Sequence, residues 1–324
     1  MNNEITNTPE VSIVFTSYNH KTYLRQALDA LTNQTFQDFE LIIVDDCSTD
    51  GSQIILTEYA EKDPRIKLYL NVKNSGSYVN STNYAASLAT APFVIFAQCD
   101  DFAERNQIEI LYNVAKQNPN CGVIFSASNI VNERGEFIRL DYDIRSEKFK
   151  RCVSNNPCIF KTMASELLLR ECIIPNLGAA LVDRSLFNIL GGFSNSYKVL
   201  ADWDFWLNIT QYTDFFYVNR PLNNFRQHDK TIRNSFKVEL QLNELYSMYV
   251  KYKSINRNIS LFQINKSIGI LFWGFVSPIH KSSILTVIKL SLSSIKFHFS
   301  LPIFIYTSLF IILFNKFKCY FNTY

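Results

Sequence analysis

Four short apolar segments, each bounded by polar residues, form the strongest pattern in the first 130 residues. Each segment is nearly continuous rather than alternating, which is typical of strands buried on both faces of a parallel sheet. The pattern therefore predicts strands at Val11–Phe15, Leu41–Val44, Phe93–Phe96 and Val123–Phe125.

Apolar residues recur at helical spacing between these segments. Predicted helices cover Tyr23–Leu31, Ser52–Ala60, Arg105–Lys116 and, later in the chain, Leu240–Tyr252. Strands that alternate with helices predict a doubly wound α/β domain. In such a domain the ligand binds beyond the carboxyl ends of the strands.

Polar side chains follow three of the predicted strands, at Thr16–Asn19, Asp45-Asp46 and Gln98–Asp101. The adjacent carboxylates of Asp100 and Asp101 repel each other unless a cation or hydrogen bonds compensate. Because Mg²⁺ is held by one or two carboxylates together with substrate phosphates, this pair indicates a divalent cation site. The alternative is a solvated pair that caps the helix starting near Glu104.

The residues around Asp45-Asp46 suggest a base-binding role. Ser48 or Asp50 is sufficient to cap the next helix, which leaves both carboxylates free to bind a ligand. A carboxylate can accept the imide N–H of uracil, and Tyr18 can stack on the base. The alternative for Tyr18 is simple packing at a strand end.

The C-terminal part has a different pattern. Ser267–Ser277 and Leu301–Phe314 are apolar runs shorter than the roughly 20 residues that cross a bilayer. Between them, Lys281, Lys289 and Lys296 share one side of a helix. We predict a catalytic domain at 1–236 and a helical tail at 237–324 that lies in a membrane surface. The alternatives are a short spanning helix at 299–318, and a buried element or dimer contact.

Composition and charge narrow the class of protein. With 47% apolar and 19% charged residues, the chain can build a large core, and the composition disfavours disorder. The net charge is +3, yet nine basic and no acidic residues lie beyond Glu244, so the catalytic body is acidic. A basic tail on an acidic body favours an anionic membrane surface and disfavours nucleic-acid binding.

Cysteine usage and the N-terminus address location. The seven cysteines match no zinc or disulfide framework, which favours reduced thiols in the cytosol. Met1–Glu10 lacks the apolar segment of a secretory signal. We therefore expect a cytoplasmic protein, peripheral on the inner face of the cell membrane. No Gly-x-Gly-x-x-Gly follows the first strand, which disfavours a hydride-transferring Rossmann enzyme.

Several segments together resemble glycosyltransferase family 2, which has the GT-A fold. They are Val11–Asn19, Gln34–Phe36, Phe39–Gly51, Asn83–Ala86, the run before Asp100-Asp101, Gly191–Phe193 and Ala201–Leu207. The resemblance spans about residues 10–235. It implies a mixed, mainly parallel sheet flanked by helices, here with a C-terminal helical membrane-associating extension.

The resemblance also implies roles for particular residues. Thr16, Tyr18 and Asp46 would hold the nucleotide base, with Asp45 beside them. Asp100 would contact the ribose, Asp101 would bind the metal, and Asp202 would be the catalytic base. The structural alternative for Asp202 is a helix cap.

A later segment, Phe225–Ser235, resembles an Arg-x-His segment of the family that closes near the diphosphate. His228 there would ligate the metal or bond a phosphate; the alternative is a packed histidine. Trp203 and Trp206 are predicted to be core residues. Two positions depart from the family pattern, Gln98 and Ala201, where acidic residues are common; activity is still expected because the three key aspartates remain.

The predicted function is inverting transfer of a sugar from a nucleotide-sugar donor to a hydroxyl of a saccharide acceptor, with Mg²⁺ or Mn²⁺. UDP is the carrier that the resemblance implies, and the acceptor is expected to be lipid-linked, in cell-surface polysaccharide synthesis. The span 126–175 is expected beside the acceptor. The alternatives are transfer to a polyprenyl phosphate and a non-catalytic nucleotide-sugar binding module.

Overall fold

A computed structural model describes residues 8–229, 231, 236–256, 259–260, 262–265, 267–268 and 271 of the 324-residue chain. The chain divides into two compact units. The described residues within Met1–Ser165 and Ile173–Asp229 form the first unit, and those within Glu166–Cys172 and Lys230–Tyr324 form the second. The predicted domain boundary at residues 236 and 237 stays a prediction.

A single mixed sheet runs through the first unit. Its strands are β1 (Val11–Ser17), β2 (Phe39–Asp45), β3 (Ile66–Leu70), β4 (Phe93–Gln98), β5 (Phe102–Ala103), β6 (Cys121–Val131), β7 (Phe137–Leu140), β8 (Cys158–Ile159), β9 (Ala180–Asp183) and β10 (Asp214–Arg226). The strand order is β3-β2-β1-β4-β9-β6-β10-β5, with β7 paired to β6 and β8 paired to β10.

Helices alternate with groups of these strands along the chain. They are α1 (Lys21–Thr32), α2 (Ser52–Lys62), α3 (Tyr78–Ser87), α4 (Gln107–Gln117), α5 (Glu147–Asn155), α6 (Lys161–Leu168), α7 (Arg184–Ile189) and α8 (Ala201–Ile209). The predicted apolar face of α1 is buried, with Leu24, Ala27, Leu28 and Leu31 at most 5% exposed. The predicted helices at Tyr23–Leu31, Ser52–Ala60 and Arg105–Lys116 and the four predicted strands are confirmed, although β6 extends well past Phe125.

The registers bring several strand ends to one edge of the sheet. Parallel pairing sets Ser17 opposite Asp45 and Thr16 opposite Gln98. Strand β9 runs antiparallel to both β4 and β6, and β10 runs parallel to β6 with Arg226 opposite Val131. The ends of β1, β2, β4 and β10 therefore meet the residues that precede β9. We call this region the carboxyl edge.

The second unit contains helix α9 (Val238–Ile255), which confirms the helix predicted at Leu240–Tyr252. Tyr249 is completely buried, and its hydroxyl donates to the carbonyl oxygens of Leu168 at 3.3 Å and Leu169 at 2.9 Å. Among the residues that the structure describes, no helix has the length and apolar character needed to cross a membrane. The predictions for 281–296 and 299–318 lie outside the described residues.

Candidate active site

Asp45, at the end of β2, closes the loop that leads into α2. Its carboxylate accepts hydrogen bonds from the backbone N–H of Ser48 at 2.8 Å, the Ser48 hydroxyl at 2.6 Å and the Gln53 amide at 2.9 Å. The residue is completely buried. Asp45 thus holds the loop between β2 and α2 in place through hydrogen bonds. Its predicted position beside a nucleotide base stays a prediction.

Asp46 ties three segments of the carboxyl edge together. Its backbone N–H donates to the carbonyl oxygen of Ser17 at 2.8 Å. Its carboxylate accepts from the Asn71 amide at 2.9 Å, and from both the backbone N–H and the hydroxyl of Ser75 at 2.8 Å. Oδ2 accepts one of these three bonds. Because a carboxylate oxygen can accept two hydrogen bonds, Oδ2 can accept another from a ligand. The predicted contact with the base stays a prediction.

The loop after β1 holds an exposed aromatic ring and an imidazole. Tyr18 is 47% exposed, as a ring that stacks on a base must be, and Thr16 is half-buried. Asn19 has a φ of 53°, in the left-handed region that asparagine tolerates better than most residues. Its N–H donates to the Ser48 hydroxyl at 2.9 Å, and its side-chain oxygen accepts from Thr49 N–H at 2.8 Å. These bonds fix the direction in which the chain enters α1.

Asp100 meets His228, which the resemblance placed near the diphosphate. Nε2 of His228 lies 3.0 Å from Oδ2 of Asp100, and the two residues are 128 positions apart in sequence. Burial acts to raise the pKa of Asp100, but the hydrogen bond from His228 and the positive charge of His20 outweigh it, so the pKa is lowered. Asp100 is therefore an ionised carboxylate at neutral pH.

A third side chain completes this cluster. His20, Asp100 and His228 each offer a ligand atom, and these atoms all lie within 4.8 Å of one another. Two imidazoles and a carboxylate form a donor set that suits a divalent cation, so the residues present fit the metal that the resemblance implies. His20 was not among the predicted site residues, although its place directly after the strand-end residues Thr16–Asn19 was a signal.

Asp101 has different surroundings from Asp100. Its Oδ1 accepts the backbone N–H of Arg226 at 2.8 Å, and its Oδ2 accepts the side-chain amide of Asn176. Burial, followed by the negative charge of Asp100, raises the pKa of Asp101 well above its usual range. Both oxygens already bind the protein, and the metal-ligand role of Asp101 stays a prediction.

Arg226, at the end of β10, organises this part of the edge, a role that sequence reasoning did not assign. It is 2% exposed, and its Nε donates to the carbonyl oxygen of Asp100 at 2.7 Å. The other guanidinium nitrogens donate to the carbonyl oxygen of Glu133 at 2.7 Å and the side chain of Gln26 at 2.6 Å. The guanidinium also lies over the rings of Tyr23 and Phe102.

Asp202 lies in the first turn of α8 and is half-buried. Its Oδ1 accepts the backbone N–H of Trp203 at 2.8 Å. Trp203 and Trp206 are at most 7% exposed, which confirms both as core residues. The catalytic role of Asp202 stays a prediction. Ala201, where the family often has an acidic residue, is completely buried.

The segment before α8 is fastened to α3. The side chain of Asn83 accepts the N–H of Phe193 at 2.9 Å and donates to its carbonyl oxygen at 2.8 Å. Gly191 and Gly192 precede it with φ angles of 74° and 79°, which only glycine adopts without strain. The two glycines that carried part of the resemblance are thus required by the backbone.

Comparison with known proteins agrees with this architecture. The sequence model described as Glycosyl transferase family 2 matches residues 12–173. An uncharacterised glycosyltransferase of Haemophilus influenzae is 26% identical over 264 residues, which cover 79% of this chain and 82% of the relative. The chondroitin synthase of Escherichia coli is 22% identical over 80% of this chain, which matches 34% of that enzyme.

Two solved structures share the fold. TarS 1–349 of S. aureus in complex with UDP-GlcNAc aligns with a TM-score of 0.64 and 17% identity, over 83% of this chain and 73% of that one. The mannosyltransferase PcManGT of Pyrobaculum calidifontis, in complex with GDP-Man and Mn²⁺, aligns with a TM-score of 0.57 and 15% identity, over 95% and 88%. The sheet is therefore of the GT-A type. With half of its length matched by the family's sequence model, the chain belongs to glycosyltransferase family 2 and is a glycosyltransferase.

Proposed function

We propose that this glycosyltransferase moves a sugar from a nucleotide-sugar donor to a hydroxyl of a saccharide, with inversion at the anomeric carbon and with a divalent cation. The observation that carries the proposal is the meeting of Asp100 with His228 at 3.0 Å, at the end of β4. An ionised carboxylate and an imidazole there can hold a cation against a pyrophosphate, as a nucleotide-sugar transferase needs.

The donor's nucleotide binds along the ends of β1 and β2 in this proposal. Thr16, Tyr18 and Asp46 contact the base, with the exposed Tyr18 ring as the stacking surface and Asp45 supporting the loop. Asp100 lies near the ribose and the diphosphate. UDP is the proposed carrier, in keeping with the resemblance and with the UDP-GlcNAc bound by TarS. The GDP-Man bound by PcManGT makes GDP the second carrier to test.

The proposed mechanism must stabilise the charge that develops on the leaving group and remove a proton from the acceptor. Negative charge builds on the diphosphate as the bond to C1 breaks, and a bound divalent cation would supply a Lewis acid that offsets this charge. Asp100 and His228 would hold the cation, with Asp101 as the further predicted ligand. Asp202 takes the proton of the acceptor hydroxyl as it attacks C1 from the opposite face, a contribution of about 10²–10⁴-fold. A single displacement inverts the anomeric centre.

The acceptor in this proposal is a lipid-linked saccharide, in the synthesis of a cell-surface polysaccharide at the inner face of the cell membrane. The nine basic and no acidic residues beyond Glu244 support an anionic surface as the tail's partner. The similarity to chondroitin synthase supports a polysaccharide product. Transfer to a polyprenyl phosphate is the alternative, and the same tail suits it.

The test is a screen of nucleotide sugars with the purified full chain, Mn²⁺ or Mg²⁺, and membrane extract. Release of free nucleoside diphosphate is the readout. We expect one donor to be consumed only when cation and extract are both present. A chain that consumes no UDP-sugar or GDP-sugar under these conditions contradicts the proposal. Replacing the extract by polyprenyl phosphate or by a lipid-linked saccharide separates the two acceptors.

A matched pair of variants separates catalysis from binding alone. Asp202→Asn should abolish transfer and leave donor affinity unchanged, because an amide cannot accept the proton. Asp38→Asn, an equally conservative change at an exposed position just before β2, should transfer as the unaltered chain does. Transfer by Asp202→Asn at the unaltered rate removes Asp202 from the mechanism. An unaltered chain that binds the donor without turnover would be a binding module.

A further inference from the structure

His20 occupies a position that the surrounding backbone fixes. It follows Asn19, whose left-handed conformation is held by Ser48 and Thr49. It also precedes Lys21, whose N–H donates to Asp50 at 2.9 Å. The backbone of His20 is thus held between β1 and α1 by bonds from both neighbouring residues to the β2–α2 loop. Such a rigid support is what a ligand side chain needs.

The hydrogen bond of the His20 ring determines which nitrogen can bind a cation. Nδ1 lies 2.8 Å from the carbonyl oxygen of Tyr18. A carbonyl oxygen only accepts, so Nδ1 carries the hydrogen and donates it. In a neutral ring Nε2 then keeps its lone pair. Metal-ligating histidines characteristically donate their other ring N–H to a carbonyl or carboxylate in this way.

The separations within the cluster suit one cation. The ligand atoms of His20, Asp100 and His228 lie within 4.8 Å of one another. Two ligands bound at about 2.1 Å to one ion are at most about 4.2 Å apart, so shifts below about 1 Å bring all three into contact with it. The ring centroids of His20 and His228 are 6.1 Å apart, and the two ring planes meet at 73°.

We propose that His20 is a further protein ligand of the cation, which would give the site two imidazole ligands. This inference rests on the proposed function, in which a cation binds at Asp100 and His228. Mg²⁺ prefers oxygen ligands, whereas imidazole suits transition metals. Two imidazoles and one carboxylate form a nitrogen-rich set. Each oxygen of Asp101 accepts one hydrogen bond, from Arg226 or Asn176, so His20 and His228 supply the nitrogen ligands whether or not Asp101 also binds the ion.

The experiment measures Mn²⁺ binding directly, with UDP present, on the full chain. Pulsed electron paramagnetic resonance detects nitrogen coupled to Mn²⁺, and titration gives the Mn²⁺ and Mg²⁺ dissociation constants. We expect two coupled imidazoles in the unaltered chain and one in His20→Ala. Mn²⁺ affinity should fall at least about tenfold in that variant, since loss of even an outer partner of a ligand costs about 10–100-fold.

Two further variants separate ligation from folding. His20→Asp replaces a nitrogen ligand by an oxygen ligand, so we expect Mn²⁺ binding to recover in part and the Mn²⁺-to-Mg²⁺ affinity ratio to fall. A purely structural histidine would not move that ratio. Thr22→Ala, at an exposed position in the same first turn of α1, should match the unaltered chain in every measurement.

The outcomes for this inference and for the proposed function are distinct. One coupled imidazole in the unaltered chain, or an unchanged nitrogen count and affinity in His20→Ala, overturns the inference while cation-dependent transfer still supports the function. Two coupled imidazoles with no transfer from any nucleotide sugar support the inference and contradict the function. Absence of Mn²⁺ binding in the unaltered chain overturns the inference and the cation requirement together.

Discussion

Arg226 binds Asp101 through its main chain, with its backbone N–H donating to Oδ1 at 2.8 Å, while its side chain donates to the carbonyl oxygen of Asp100. One residue at the end of β10 therefore holds both members of the acidic pair at the end of β4. The backbone bond survives any substitution other than proline, whereas the guanidinium bonds can be removed singly by mutation.

Arg226→Met tests the guanidinium. The carbonyl oxygens of Asp100 and Glu133 would lose buried donors, and we expect a loss of about 2–4 kcal/mol in the free energy of unfolding. Arg220→Met, an exposed position on the same strand, should change stability by less than about 0.5 kcal/mol. Urea unfolding measures both. Equal stability of the two variants would show that the buried network contributes little.

The neighbouring glycines before Phe193 offer a second matched pair. A Cβ on Gly192 would lie 2.7 Å from Oδ1 of Asn83, whereas one on Gly191 would meet nothing within 4 Å. Both positions have positive φ. We expect Gly191→Ala to cost about 1 kcal/mol and Gly192→Ala more than about 2 kcal/mol, since it also displaces Asn83. Thermal unfolding compares them, and a larger loss in Gly191→Ala would contradict the contact.

Glu40 gives a prediction for acid stability. It is 3% exposed and accepts bonds from the Ser12 hydroxyl, Lys67, and both the backbone N–H and the hydroxyl of Thr90. Burial acts to raise the pKa of Glu40, but the bonds from Lys67, Ser12 and Thr90 lower it below its ordinary 4.5. A carboxyl whose pKa is lower in the folded state adds stability above its unfolded pKa. That stability is lost as the pH falls below 4.5, through the folded pKa.

Glu40→Gln should therefore lower stability at neutral pH, by about 1–3 kcal/mol, and reduce its decline below pH 4.5. The exposed Glu61→Gln should leave the pH profile of the unaltered chain unchanged. Urea midpoints measured from pH 7 to pH 3 provide the comparison. A Glu40→Gln profile parallel to that of the unaltered chain would argue against the lowered pKa.

Tyr18 provides a prediction for donor binding. Because its ring is 47% exposed, Tyr18→Ala should leave the thermal midpoint nearly unchanged. If the ring stacks on the base, UDP should bind about 5- to 100-fold more weakly. Tyr212→Ala, where the ring is 51% exposed, serves as the control. Calorimetric titration with UDP measures the dissociation constants of both variants. An unchanged UDP affinity in Tyr18→Ala would show that the Tyr18 ring does not bind the base.

The sequence predicts β1, β2, β4 and the first part of β6 well, because these strands read as continuous apolar runs. It does not predict β3, β7, β9 or β10, nor helices α3 and α5. Strand β9 has only four residues, and its apolar run cannot be told from a helix by periodicity. Helix α5 buries only Phe149, so its apolar pattern is weak.

The residues of the candidate site also divide into predicted and unpredicted ones. The strand-end aspartates are predicted because they follow apolar segments, and His228 is predicted by the resemblance. His20, Asn176 and the contacts of Arg226 depend on which strands become neighbours and in which direction they run. Asn176 lies 75 residues from Asp101, and neither periodicity nor spacing relates the two.

The reversed direction of β9 has a consequence for how this chain can change. Since β9 is antiparallel to β4, its first residues reach the rim where β4 ends, and Asn176 meets Asp101 there. The chain between these two positions departs from that rim and comes back to it. Loops within that excursion that touch neither the acidic pair nor Arg226 can lengthen or shorten without disturbing either anchor, provided that β9 keeps its two neighbours. Evolution can thus remodel the intervening region while the acidic pair stays in place.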